Sequence, residues 1–225
     1  MVNFTFMTAL HLVGDFYLQP SETSFAHNTR KLVFFRTFRY LVAFIPILFY
    51  TPLEICIQVY AILASIHVLT DKLSIHTNGK QKKTILFLFC QTARILAILF
   101  GSRRISPCSF FTHHIFIMKT ILAVLLMGMP GSVFIRYLFT DVFLSEEPSG
   151  FFDVGSMIGV MERLLSLIMA GFSNLSAIAL IITVKTWARA EDIKSNVGDF
   201  KHKYLLGTLA SLVYALTVYA ICFRL

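Results

Sequence analysis

Two histidine–aspartate pairs carry the chemistry this chain can offer. His11 and Asp15 are four residues apart, as are His67 and Asp71, a spacing that puts both side chains of a pair on one helix face. Gln19 extends the first stripe by another turn, and Lys72 follows the second pair directly. Two imidazoles and two carboxylates can form the inner shell of a divalent cation such as zinc or manganese. The same groups can take up a proton, handle a polar substrate, or pair with one another as packing between helices. Spacing alone leaves these uses open, because HxxxD carries far less information than a full HExxH motif.

Further polar residues sit in apolar surroundings. Gln91 and Arg94 are three apart and share a face. Arg94 can neutralise Asp15 or Asp71, bind an anionic group through its fork of donors, or snorkel to an interface from a surface-lying helix. A second constellation consists of Glu162 and Arg163 in GSMIGVMERLL and Lys185 and Arg189 in KTWAR. If one helix runs through both motifs, Glu162 and Lys185 are about 34 Å apart along it and cannot meet. Glu162 then needs another basic partner, for which Arg136 on the preceding apolar run is the expectation.

These groups have to be positioned by membrane elements. Of 225 residues, 56% are hydrophobic and only 14% charged, with a mean hydropathy of +0.73. Soluble domains carry nearer a quarter charged residues. The net charge of +8 has a use in setting membrane orientation, so no nucleic-acid partner is expected. Cys56, Cys90, Cys108 and Cys222 fall in four segments without a CxxC pair, which supports neither a disulfide framework nor a thiolate zinc site. The first fifteen residues lack a basic n-region and contain His11 and Asp15, so they read as part of the fold.

Seven apolar runs can be read: residues 4–19, 38–50, 53–69, 84–100, 115–139, 157–184 and 205–223. Pro46 interrupts the second, and Met129-Pro130-Gly131 the fifth. Sixteen of the 20 Lys and Arg residues cluster in 22–39, 71–83, 101–119 and 185–203, whereas the acidic stretch 141–153 has none. Placing the basic stretches inside requires that 84–100 enter and leave on one side. The expected architecture is an all-α bundle of six crossings plus a re-entrant or interfacial segment at 84–100, with both termini outside. Seven full crossings is the alternative. The chain reads as one membrane-embedded domain, with a His/Asp-bearing half at 1–104 and a second helical half at 105–225. Small residues at 170–179 and 207–211 point to close packing of the last two runs.

HLVGDFYLQ at 11–19, HVLTDK at 67–72 and FCQ at 89–91 together resemble the bacterial membrane proteins grouped as domain of unknown function 3307. IGVMER, KTWAR and KYLLGTLAS extend the resemblance over most of the chain. It implies functional weight on His11, Asp15, Gln19, His67 and Asp71, and a place in a bacterial cytoplasmic membrane. Family members often carry His in the second helix and Asp-Gln in the fourth. Here Arg36 and Tyr40, and Cys90-Gln91, stand in those helices. The HxxxD helix is also similar to that of bacterial membrane-bound hydrolases thought to depend on metal.

Three functions follow as expectations. One is a transporter, in which Asp15 or Asp71 takes up a proton or ion while a small solute or ion is handled at a polar site. Another is a hydrolase, in which His11, Asp15, His67 and Asp71 hold a metal-activated water. The third is a scaffold whose basic inner face meets a cytoplasmic protein.

Overall fold

A computed structural model describes residues 2–19, 29–77, 83–106, 109–143, 154–191 and 200–224. The described chain is helical throughout: α1 (Val2–Leu12), a π-helical turn (Val13–Tyr17), α2 (Thr29–Ala43), a 3₁₀ turn (Ile45–Phe49), α3 (Leu53–Thr77), α4 (Lys83–Ser102), α5 (Ser109–His113), α6 (Ile115–Met127), α7 (Met129–Phe143), α8 (Val154–Gly171), α9 (Leu175–Ala188) and α10 (Phe200–Tyr219), which ends in a second π turn (Ala220–Arg224). Two compact units divide at 125/126, inside the continuous span formed by α6 and α7, whereas the sequence alone placed its halves at 104/105.

Four helical stretches are long and apolar enough to cross a membrane: Leu53–Thr77, Lys83–Ser102, Ile115–Phe143 and Lys201–Arg224. This corrects the expectation of six crossings plus a re-entrant segment, and equally the alternative of seven. The first run fails because α1 is only 11 residues, about 17 Å at 1.5 Å per residue, before the chain widens into a π turn. The second run stops at Ala43, where Pro46 leaves only a 3₁₀ turn. Residues 84–100, expected to be re-entrant, lie within the unbroken 20-residue α4. A helix of that length is long enough to cross a bilayer by itself.

The run 157–184 is two helices. Ser173 adopts φ 57°, the Asn174 N–H donates to Met169 O at 2.9 Å, and the Asn174 Oδ1 caps α9 by accepting from the Ala177 N–H at 3.1 Å. A left-handed residue followed by an Asn N-cap ends one helix and starts the next. The chain folds back there instead of crossing. Asn174 is thus used as a cap. In the first unit the core gathers Met7, Tyr40, Phe44, Ile47, Cys56, Val59, Leu63 and Ile98 from α1 to α4 and the 3₁₀ turn. Many large apolar side chains face outward, Phe49, Phe116 and Trp187 among them, which suits a lipid surface. The chain is a multi-pass membrane protein.

In the second unit Pro130 shapes the site. It has no N–H for the Leu126 carbonyl four residues earlier. The Tyr214 hydroxyl donates to that carbonyl instead, at 2.8 Å, and Arg163 Nε donates to the neighbouring Met127 carbonyl, also at 2.8 Å. Side chains of α8 and α10 thereby satisfy backbone groups that a bilayer could not. Of the small-residue stretches, Gly207 lies against Phe139, whereas Gly171 faces open space and makes no close helix contact.

Candidate functional site

The first unit buries a polar network beside its core. Asp15 comes from the π turn, His11 from α1, His67, Thr70 and Asp71 from the inner face of α3, and Gln91 and Arg94 from α4. The π turn carries an extra residue per turn, and Gly14 within it lets the backbone lie against α2: a Cβ there would stand 3.0 Å from Ala43 Cβ and 3.2 Å from Tyr40 Cα. Only a glycine fits this approach without a shift. It brings Asp15 into the bundle.

Asp15 is the most heavily hydrogen-bonded member. Arg94 Nη1 donates to both of its oxygens at 2.6 Å, Gln91 Nε2 donates to Oδ2 at 2.7 Å, His67 Nε2 donates to Oδ1 at 3.3 Å, and Gln19 Nε2 reaches Oδ1 at 3.4 Å. Arg94 Nη2 donates to Asp71 Oδ1 at 2.5 Å and Nε to Thr70 Oγ1 at 2.9 Å. A single guanidinium therefore bridges two carboxylates on separate elements, through the fork geometry that lysine lacks. Arg94 is 6% exposed, so the surface-snorkelling option does not apply.

The two histidines are wholly buried but differ in role. His11 Nε2 donates to Gln91 Oε1 at 3.0 Å, which leaves Nδ1 with no hydrogen-bond partner. Burial pushes the His11 imidazole down to about 4, and Asp15 opposes this only in part, so His11 is neutral at neutral pH. Burial pushes Asp15 upward, but the Arg94 guanidinium and the hydrogen bond from His67 outweigh it and hold the carboxyl well below the usual carboxylate range. Both groups lie outside the four long apolar helices.

His67 stands between the carboxylates. Its Nε2 faces Asp15, while Nδ1 lies 3.7 Å from Asp71 Oδ2 and 3.4 Å from Thr37 Oγ1. Asp71 Oδ2 has no hydrogen-bond partner. Tyr40 packs on both imidazoles, with ring centroids 4.3 Å from His67 and 5.6 Å from His11. Thr37 and Thr70 were not singled out from the sequence. Val33, Thr37 and Tyr40 form an i, i+4, i+7 stripe that marks the inner face of α2, and Thr70 directly precedes Asp71.

These donors do not converge on a point where a divalent ion would sit, since Arg94 fills the space between the carboxylates and His11 Nε2 is held by Gln91. Among the described residues no group of three or more His, Cys, Asp or Glu is arranged to hold a metal.

The second sequence cluster belongs to the other unit. Lys185 Nζ donates to Glu162 Oε2 at 2.6 Å, which corrects both the expectation that these two residues are too far apart to pair and the assignment of Arg136 as the partner of Glu162. The break at 172–174 is the reason, because it makes α8 and α9 an antiparallel hairpin. Arg163, 3% exposed, donates to Met127 O, Ser132 Oγ, Gly128 O and Ser211 Oγ. Arg189 is exposed at the C-terminus of α9. His113 and His114 are exposed and take no part in either network, and Cys108 lies outside the described residues.

Comparison of the chain with protein-family models and with curated proteins, and of its fold with solved structures, finds no match.

Proposed function

We propose that the buried network binds and releases a proton at His67, coupled to the passage of a small solute or ion across the membrane. The observation that carries this reading is the position of the His67 ring between Asp15 and Asp71, with one nitrogen toward each carboxylate. Two ionised carboxylates against one guanidinium leave one negative charge in a buried site, and His11 is neutral. A proton on His67 cancels that charge and turns Nδ1 into a donor for Asp71 Oδ2, which otherwise has none. A buried charge imbalance of this kind is costly in a bilayer, so the site has a physical reason to gain and lose one positive charge. A π turn at the point where Asp15 enters gives a local element that can change register. The resemblance of HLVGDFYLQ and HVLTDK to a bacterial membrane family supports a bacterial cytoplasmic membrane as the location.

Vesicles containing the full chain and an entrapped pH indicator test the proposal. An imposed pH gradient should drive proton entry that His67→Gln and Asp15→Asn abolish, with both variants remaining monodisperse and helical. Unchanged flux in folded His67→Gln would sink it.

A further inference from the structure

The His67 ring is wholly buried, so each of its nitrogens needs a protein partner in both protonation states. Nε2 faces Asp15 Oδ1 at 3.3 Å, and Asp15, held ionised by Arg94, can only accept. Nε2 therefore carries a hydrogen whether the ring is neutral or charged, and the proton that comes and goes is the one on Nδ1. In the neutral ring Nδ1 is a bare acceptor. Asp71 Oδ2, 3.7 Å away, belongs to a carboxylate paired with Arg94 and has no hydrogen to give. The Thr37 hydroxyl at 3.4 Å is the donor, and among the described residues no other stands within hydrogen-bonding distance of Nδ1.

Thr37 uses its hydroxyl in an unusual way for this chain. Thr8, Thr120, Thr183 and Thr217 each donate to the carbonyl four residues earlier, as helical threonines commonly do. The matching carbonyl for Thr37 is that of Val33, yet its hydroxyl meets the imidazole of another helix instead. Tyr40, one turn further along α2, lies 4.3 Å from the His67 ring between centroids and helps to fix its plane. The charged and titratable groups around the ring are Asp15 on the π turn, Asp71 on its own helix, His11 on α1, Arg94 on α4 and, on α2, Tyr40 with the half-buried Arg36 next to Thr37. The carboxylates favour the charged ring. Thr37 gives the neutral ring its hydrogen bond.

We infer that Thr37 sets how readily His67 gives up its proton, by donating to Nδ1 of the neutral ring and turning to the Val33 carbonyl when Nδ1 is protonated and donates to Asp71. This role rests on the reading of His67 as the proton site and adds a threshold to it. The ring gains or loses one proton, while the hydroxyl keeps its own and changes only direction. Without that donor a neutral ring leaves Nδ1 buried and unsatisfied, and the proton is held more tightly. Thr37 is a positioning residue, since it acts through the His67 ring.

Two measurements test this: nitrogen NMR of the isotope-labelled, detergent-solubilised full chain, with the His67 signals identified by their loss in His67→Gln, and proton entry into vesicles as a function of pH. Thr37→Val keeps the shape of the side chain and removes the donor. At alkaline pH its Nδ1 signal should move to the position of an unbonded nitrogen, and its pH profile of proton entry should shift upward by about half to one pH unit, the equivalent of one hydrogen bond. Thr37→Ser should restore both. An Nδ1 signal unchanged in Thr37→Val overturns the inference, as does a changed signal with an unmoved profile. A wild type that admits no protons rejects the transport reading instead, and the role of Thr37 is then decided by the pH at which the ring signals change, which Thr37→Val must raise.

Discussion

Arg94 Nη1 lies 2.6 Å from each carboxylate oxygen of Asp15 and so ties the π turn after α1 to the middle of α4. With the other arm of the guanidinium on Asp71, the same side chain fixes α3. Removing one partner from a buried pair strands the other charge. Arg94→Gln is therefore expected to cost about 3–5 kcal/mol in detergent unfolding. The double variant Arg94→Gln with Asp15→Asn should be more stable than Arg94→Gln alone. A double variant no more stable than the single would show that the charges are not coupled.

His11 should make the fold acid-sensitive. Its folded pKa is lowered to about 4 from 6.5, so the unfolded chain binds a proton over that interval that the folded chain does not. Stability then falls as pH drops from about 6.5 to 4, by roughly 3 kcal/mol, and this contribution is flat below that. The lowered Asp15 works in the same direction but later: its contribution is complete above the usual carboxylate range and is lost as pH falls below it. Thermal unfolding against pH should show the first limb vanish in His11→Gln. A slope unchanged in that variant would assign it to another group.

The hairpin of α8 and α9 can be checked by cross-linking. Glu162 and Lys185 side chains are 21% and 28% exposed, so their pair should contribute only about 1 kcal/mol, and Glu162→Gln should lower stability by no more than that. Cysteines placed at 162 and 185 should cross-link with a bifunctional thiol reagent whose reach is about that of a Lys–Glu pair, roughly 10 Å. A single helix through both positions would hold them about 34 Å apart and prevent it.

Tyr214 and Pro130 should be energetically coupled. Tyr214→Phe leaves the Leu126 carbonyl without the donor it has at 2.8 Å, at a cost of about 1–3 kcal/mol. In a Pro130→Ala background the new N–H can serve that carbonyl, and the same substitution should then cost much less. Equal costs in the two backgrounds would mean that the hydroxyl does not replace the missing amide.

The sequence by itself determined the membrane character and the identity of the polar groups. Apolar runs this long with so few charges have no soluble alternative, and four-residue spacing puts His67 and Asp71 on one face of any helix that contains them. It also marked Gln91 and Arg94 as a pair on one face. It could not determine how many runs cross, because hydropathy is summed along the chain whereas crossing depends on where the helix breaks. The left-handed Ser173 and the Asn174 cap turn one apolar run into a hairpin, and Gly14 opens a π turn inside another, while the residues around both remain apolar. Partner choice was equally hidden: Glu162 meets Lys185 only because the chain reverses between them, and Arg94 serves Asp15 and Asp71 together only because α1, α3 and α4 pack around it. Periodicity reports which face a side chain shares, and only tertiary packing decides which faces meet.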